Sequence, residues 1–217
     1  MAICNKPILI YCSGKSRRLD TIAKDCGLEL GIQLPSPTLY FWPFFVDQNW
    51  KAPNRTQYVQ SIQSIKPTMA TVIDIESHNL FKDALSWAED ISSFVEYIIM
   101  IPKVSGIIQD IPLSINGTQV ILGYSVPTKY GTTSTPLWEF RDRRVHLLGG
   151  SPKKQVELWR YLDVFSCDGN AMRYAAMKFG HFWNGSKWEY IGSNDRDKIY
   201  EAFKISCENI VRMWNTL

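Results

Sequence analysis

A compact parallel α/β barrel of eight strands is the fold this sequence predicts, and three observations predict it. Short apolar runs recur along the chain, and between several of them lie helical patterns. Continuous β-branched and aliphatic runs are what strands buried on both faces look like. Five runs, FFVDQNWK (44–51), ATVIDIES (70–77), QVILGYSVPTKYG (119–131), RVHLLGGSP (144–152) and LDVFSCDGN (162–170), end in polar or glycine-bearing signatures. In a barrel those ends gather at the C-terminal mouth, where α/β barrels of the TIM type build their sites.

Taken in order, PILIYCS (7–13), LELGIQL (28–34) and TLYFWPFFV (38–46) read as the first three strands. Residues 54–66 carry Tyr58, Ile62 and Ile65 at helical spacing, just before Pro67. ATVIDI (70–75) is the next strand. Residues 78–95 then place Leu80, Phe81, Ala84, Leu85, Ala88, Ile91 and Val95 on one face, an amphipathic helix. YIIMIPKV (97–104), QVILGYSV (119–126), RVHLLG (144–149) and LDVFSC (162–167) complete the strands. Ser151-Pro152 reads as an N-cap followed by Pro at the first helical position, opening a helix to about Tyr161. Helices over 171–180 and 195–216 close the chain, the latter with Ile199, Phe203, Ile210 and Met213 inward. Strand alternating with helix marks a parallel sheet, and at this length several helices are expected to be reduced to loops. An open doubly wound sheet is the rival; no GxGxxG follows the first strand, which weakens its dinucleotide-binding form. One domain over residues 1–217 is the simplest expectation.

Composition sets bounds. A 25.0 kDa chain with 45% hydrophobic and 21% charged residues is ordinary for a globular protein. A net charge of +3 permits nucleic-acid contact without requiring it. Positive charge gathers at Lys15, Arg17 and Arg18, at Arg141, Arg143 and Arg144, and at Lys153 and Lys154. Eight Trp, ten Tyr and ten Phe are a heavy aromatic load, and rings near a pocket stack bases. The five cysteines are widely spaced, with no CxxC pair and no His/Cys cluster. Neither a metal, a cofactor nor a disulfide framework is therefore expected. With no signal-peptide layout and no apolar run long enough for a bilayer, a cytoplasmic protein without membrane contact is expected.

The chemistry is read from the strand ends. Asp74 and Glu76 fall on one side of their strand by alternation, an acidic pair that accepts N–H groups from a purine-like edge or serves as acid and base. The competing reading is a carboxylate or Ser77 capping the helix that follows. Asp47 closes an aromatic run whose apolar approach would raise its pKa and suit it to proton exchange; a pair with Lys51 or a turn is the structural alternative. Gly123, beside Tyr124, and the Gly149-Gly150 pair leave room for backbone to approach a planar base. His146 reads as a core histidine. In LDVFSCDGN, Ser166, Cys167 and Asp168 cluster before a helix, with Arg173 beyond. An Asp there forms a glycosyl–enzyme ester, whereas Asp-Gly-Asn alone is a turn signal. Cys167 lacks a His in a recognisable partner motif, against a thiol hydrolase.

In that order, the FFVD, PTMATVIDIE, VILGYS, HLLGGSP and LDVFSCDGN blocks resemble the tRNA-guanine transglycosylase superfamily, including relatives that insert 7-deazaguanines into DNA. HLLGGSP followed by LDVFSCDGN is the specific part, and the likeness spans roughly residues 40–185. The chain also resembles small phage-type proteins sharing the PLWEF, HLLGGSP and DGN blocks. The resemblance implies exchange of guanine for a 7-deazaguanine such as 7-cyano-7-deazaguanine. It implies Asp168 as nucleophile, Asp47 as proton exchanger, and base contacts from Asp74, Glu76, Gly123, Tyr124, Gly149 and Gly150. A gapless match sets Ser166 at the nucleophile's place; Asp168 takes the role if the strand end is shaped differently. Lys103, Lys129, Lys153 and Arg173 are candidate nucleic-acid contacts, with Lys103 meeting either a phosphate or the site carboxylates. The zinc cluster of the tRNA enzymes has no counterpart, which favours DNA over tRNA and leaves room for a homodimer or a partner protein. Two alternatives stay open: a nucleoside or N-glycoside hydrolase, and a non-catalytic binder of modified bases.

Overall fold

The computed structural model describes residues 6–12, 16–36, 38–128, 133–193 and 195–217. Strand β1 (Ile8–Cys12) leads into helix α1 (Arg17–Asp25), then β2 (Glu29–Leu34) and β3 (Phe45–Gln48). Helix α2 (Arg55–Ile65), β4 (Met69–Thr71), α3 (Phe81–Ile91) and β5 (Tyr97–Met100) follow. The two-residue β6 (Ser114–Ile115) makes a hairpin with β7 (Thr118–Ser125). Next come β8 (Arg144–Leu148), α4 (Pro152–Trp159), β9 (Asp163–Gly169) and α5 (Ala171–Phe179). A small ribbon of β10 (His181–Trp183) and β11 (Trp188–Tyr190) precedes α6 (Arg196–Asn215).

Strands β1 to β5 and β7 to β9 pair in parallel, each with its neighbour in sequence, and β1 pairs with β9 while β5 pairs with β7. The ring is closed: an eight-stranded α/β barrel, in which the described residues after β2, β5 and β7 form no α-helix. Helix starts follow capping chemistry. Ser16, Asn54, Ser151 and Asp195 each accept a hydrogen bond from the backbone N–H three residues on.

Alternation divides the apolar residues between two layers. Ile10, Phe45, Met69, Ile99, Ile101 and Ile121 fill the barrel interior. Their strand neighbours, among them Tyr11, Val46, Ala70, Ile98, Leu122 and Leu147, face the surrounding helices. Gly31 and Gly123 belong to the interior packing: a Cβ on Gly123 would sit 2.6 Å from Ile101 Cγ1 and 2.9 Å from Leu148 Cδ1.

One irregularity matters for the site. Between β8 and β9 the register jumps from Val145↔Val164 to His146↔Ser166, a bulge that leaves Phe165 as an extra residue. Phe165 packs against the inner cluster and its ring lies 4.8 Å from Tyr97, while Ser166 bonds to the inward His146. Two successive residues thus point inward, and Asp168 follows Ser166 onto the inner face, level with Ile10.

The aromatic run 38–44 does not extend β3. Pro43 has no N–H for a ladder, so pairing begins in earnest at Phe45. Helix α1 and the β10–β11 ribbon were not anticipated from sequence. No helix among the described residues is long and apolar enough to cross a membrane.

Candidate active site

Residues at the ends of all eight barrel strands line one cleft of about 650 Å³ at the C-terminal mouth. Cys12 comes from β1, Gln33 from β2, Asp47 from β3 and Asp74 from the segment after β4. Lys103 follows β5, Ser125 ends β7, Gly149 and Gly150 follow β8, and Asp168 comes from β9. Asp47, Asp74 and Asp168, singled out separately in the sequence, therefore share one wall.

Asp47 is half-buried, and its pKa is pushed up to about 7. Burial is the main cause and the Asp168 charge the next; hydrogen bonds from Thr71 and Gln33 oppose them, while Asp74 adds a further upward push. Thr71 Oγ1 donates to Asp47 Oδ1 at 3.0 Å and accepts the Gln48 N–H at 2.9 Å, fixing the carboxyl's orientation. Lys51 is not its partner: that ammonium lies 5.1 Å over the Trp50 ring.

Asp74 is raised by burial but held by Lys103, whose Nζ stands 2.6 Å from Asp74 Oδ2. Lys103 thus serves the carboxylate. Loop residues brace its backbone, with Ser134 Oγ donating to the Lys103 carbonyl at 2.6 Å and Thr133 to that of Pro102.

Asp168 is positioned from three sides. The Gly149 N–H donates to Oδ1 at 3.0 Å, made available by the left-handed backbone of Gly149 (φ +67°). From the barrel interior His146 Nε2 stands 3.5 Å from the same oxygen. Beneath, Gln155 Nε2 on α4 donates to both the Gly149 and Asp168 carbonyls at 2.8 Å, locking the β8 and β9 ends together. His146 is fully buried, its ring 4.8 Å from Phe45, and its Nδ1 meets Ser166 Oγ at 2.7 Å. Nε2 itself makes no hydrogen bond, so the ring is held through Nδ1 while Nε2 stands near the Asp168 carboxyl. Cys12 also reaches the cleft, its thiol held neutral by burial and by Asp168 and Asp47.

Several sequence expectations are corrected. Ser166 is buried below the cleft as the partner of His146, so it does not present itself to a substrate. Glu76 is exposed and does not line the cleft, because the chain leaves regular strand geometry after Thr71, although its charge still pushes the Asp74 pKa up. Gly123 lies one layer down, packed by Ile99, Ile101 and Leu148. Tyr124 faces outward, edge-on to Phe140 at 5.1 Å. Gly150 lines the cleft, yet its φ of +87° and a Cβ position 2.4 Å from Val126 show that backbone packing also demands glycine there. Arg173 lines the cleft, whereas Lys153 is exposed on α4 away from it. Lys129 lies outside the described residues. Sequence reasoning missed Gln33, Trp50, Tyr174 and Gln155. Trp50 and Tyr174 were detectable only as members of a large aromatic set, and Gln155 left no signal because its role depends on the β8–β9 approach. Among the described residues no group of three or more His, Cys, Asp or Glu side chains could hold a metal ion.

Fold and site together define a closed parallel α/β barrel with a carboxylate-walled cleft at its C-terminal mouth. Residues 39–215 match the model of DUF6610, a family of unknown function, and the chain belongs to that family. No curated protein and no solved structure matches it.

Proposed function

We propose that this barrel exchanges a guanine-like base at a glycosidic bond of nucleic acid, DNA before tRNA. The observation that carries the reading is the meeting of Asp47, Asp74 and Asp168 in one cleft, with Asp47 titrating near neutrality. Asp168, its Oδ1 held by Gly149, attacks the anomeric carbon through its other oxygen as the C–N bond breaks. The departing base takes a proton from Asp47, which a carboxyl of pKa about 7 can supply. The incoming 7-deazaguanine returns its N–H proton to Asp47 and attacks the same carbon, expelling the Asp168 carboxylate. Asp74, oriented by Lys103, meets the N–H edge of the base, and Trp50 and Tyr174 offer ring faces at the rim.

Mass spectrometry of nucleosides from DNA and tRNA of cells expressing the chain tests this directly. A deazaguanosine dependent on the chain is expected in DNA, and Asp168→Ala is expected to abolish it together with any covalent protein–nucleic acid adduct. An adduct that persisted in Asp168→Ala would remove Asp168 as nucleophile. The same Asp47 in an open cleft also suits activation of water. Release of free base without incorporation would select an N-glycoside hydrolase, and tight base binding with neither outcome a non-catalytic reader.

A further inference from the structure

Helix α5 has an outer face that its packing leaves unexplained. Met172, Ala175 and Ala176 turn inward, as an amphipathic helix should arrange them. The opposite face carries Tyr174 and Met177, 46% and 44% exposed, where polar side chains are the rule. Phe179 ends the helix at 52% exposure and Tyr190 on the adjoining ribbon matches it at 52%. These rings are contiguous. Tyr174 meets Phe179 at 5.6 Å, Phe179 meets His181 at 6.0 Å, and His181 meets Tyr190 at 5.9 Å, each pair edge-to-face. Each edge-to-face contact covers one face of one ring, and the exposure of Tyr174, Phe179 and Tyr190 shows that much of their ring surface stays open to solvent.

The row begins at the cleft, since Tyr174 and the neighbouring Arg173 line it. Its charge is one-sided as well. Residues 169–188 contain no Asp or Glu but include Arg173, Lys178 and Lys187. Glu189, the carboxylate next along, is paired with Lys187 at 3.2 Å. Exposed ring surface in a row, flanked by cations, with the buried Asp20 carboxylate near Arg173 and no acid within residues 169–188, fits an unpaired polynucleotide. Every base has a face to stack and every nucleotide carries one negative charge.

We infer that Tyr174, Phe179, His181 and Tyr190 form a stacking track for single-stranded nucleic acid leading out of the cleft. The inference rests on the proposed function only in naming the cleft as the destination of one base; the track is a binding surface in its own right. Bases flanking the target lie on the rings, and Arg173 and Lys178 meet the phosphates. A base already out of a duplex reaches the mouth without the cost of unstacking.

The test is fluorescence anisotropy of a labelled single-stranded oligonucleotide with the full chain, compared with the same sequence as a duplex. Tighter binding of the single strand is expected, weakening with salt. Phe179→Ser and Tyr190→Ser are each expected to weaken it by about tenfold, in line with the loss of one stacked base. Both positions are exposed, and unchanged thermal melts confirm intact folding. In the native chain, preferential binding of the single strand without any base exchange would sink the catalytic reading while leaving the track standing. Affinity unchanged from that of the native chain in both serine variants, or no preference for the single strand, overturns the inference. So does a dimer in sedimentation velocity that Phe179→Ser disperses, which would assign the rings to a second copy of the chain.

Discussion

At the scale of single residues, burial pushes the pKa of both Asp47 and Asp74 up, and their neighbours oppose it differently. Asp74 has an ammonium at 2.6 Å, whereas Asp47 has only a hydroxyl and an amide against the charge of Asp168. Asp47 therefore retains in the folded protein a proton that the unfolded chain, with its ordinary value of 3.8, releases. The folded form binds more protons between about pH 4 and pH 7, so stability falls as pH rises through that window and levels above it. Asp47→Asn mimics the protonated carboxyl. Its melting temperature should exceed that of the native chain by more at pH 8 than at pH 5, as measured by thermal melts at both. Asp20, raised by burial to about 6, contributes a decline of the same sign that the variant keeps. An equal difference at the two pH values would show that Asp47 is ionised throughout.

At the scale of elements, glycine and glutamine hold the strand ends in place. Gly123→Ala forces a methyl among Ile99, Ile101 and Leu148, and such overpacking should cost about 1–3 kcal/mol in chemical denaturation. Gln155→Ala removes the donor shared by the Gly149 and Asp168 carbonyls, at a cost of about 1–3 kcal/mol. It should also lower turnover of whatever substrate the cleft accepts, because Asp168 loses its brace. Much of this level was legible in the sequence. All eight barrel strands announce themselves as apolar runs, α2, α3 and α6 through apolar periodicity, and α4 through its Ser151-Pro152 cap. Helix α1 does not, because in RRLDTIAKD only Leu19 and Ala23 are buried apolar residues and the rest reads as a charged surface. Asp47, Asp74 and Asp168 were legible because a polar residue ending a buried strand has one place to go. Glu76 and Tyr124 were misplaced for a related reason: alternation holds only while the ladder does, and a residue's face depends on a phase that one sequence does not disclose.

At the scale of the molecule, the barrel is closed by its sheet and finished by its last helix. Helix α6 packs against α1, α5 and β10, and buries Tyr200, Phe203, Cys207, Ile210 and Trp214. A chain ending at residue 195 would expose the outer layer that these side chains cover, and burial of that size is most of what sustains a small domain. Circular dichroism of that truncation should show no cooperative thermal transition; a sharp two-state melt would mean that the barrel stands without α6. The extra residue in β9 has a reach beyond its own strand. In a plainly pleated β9, Phe165 and Cys167 would face the lumen and Asp168 the helices. By accommodating one amino acid too many, the strand sets an aromatic plug low in the lumen and a carboxylate at its opening, and turns the sulfur outward into the hydrocarbon. Whether β9 offers the mouth of the barrel a carboxylate or a thiol is thus decided by a half-step in backbone pleating.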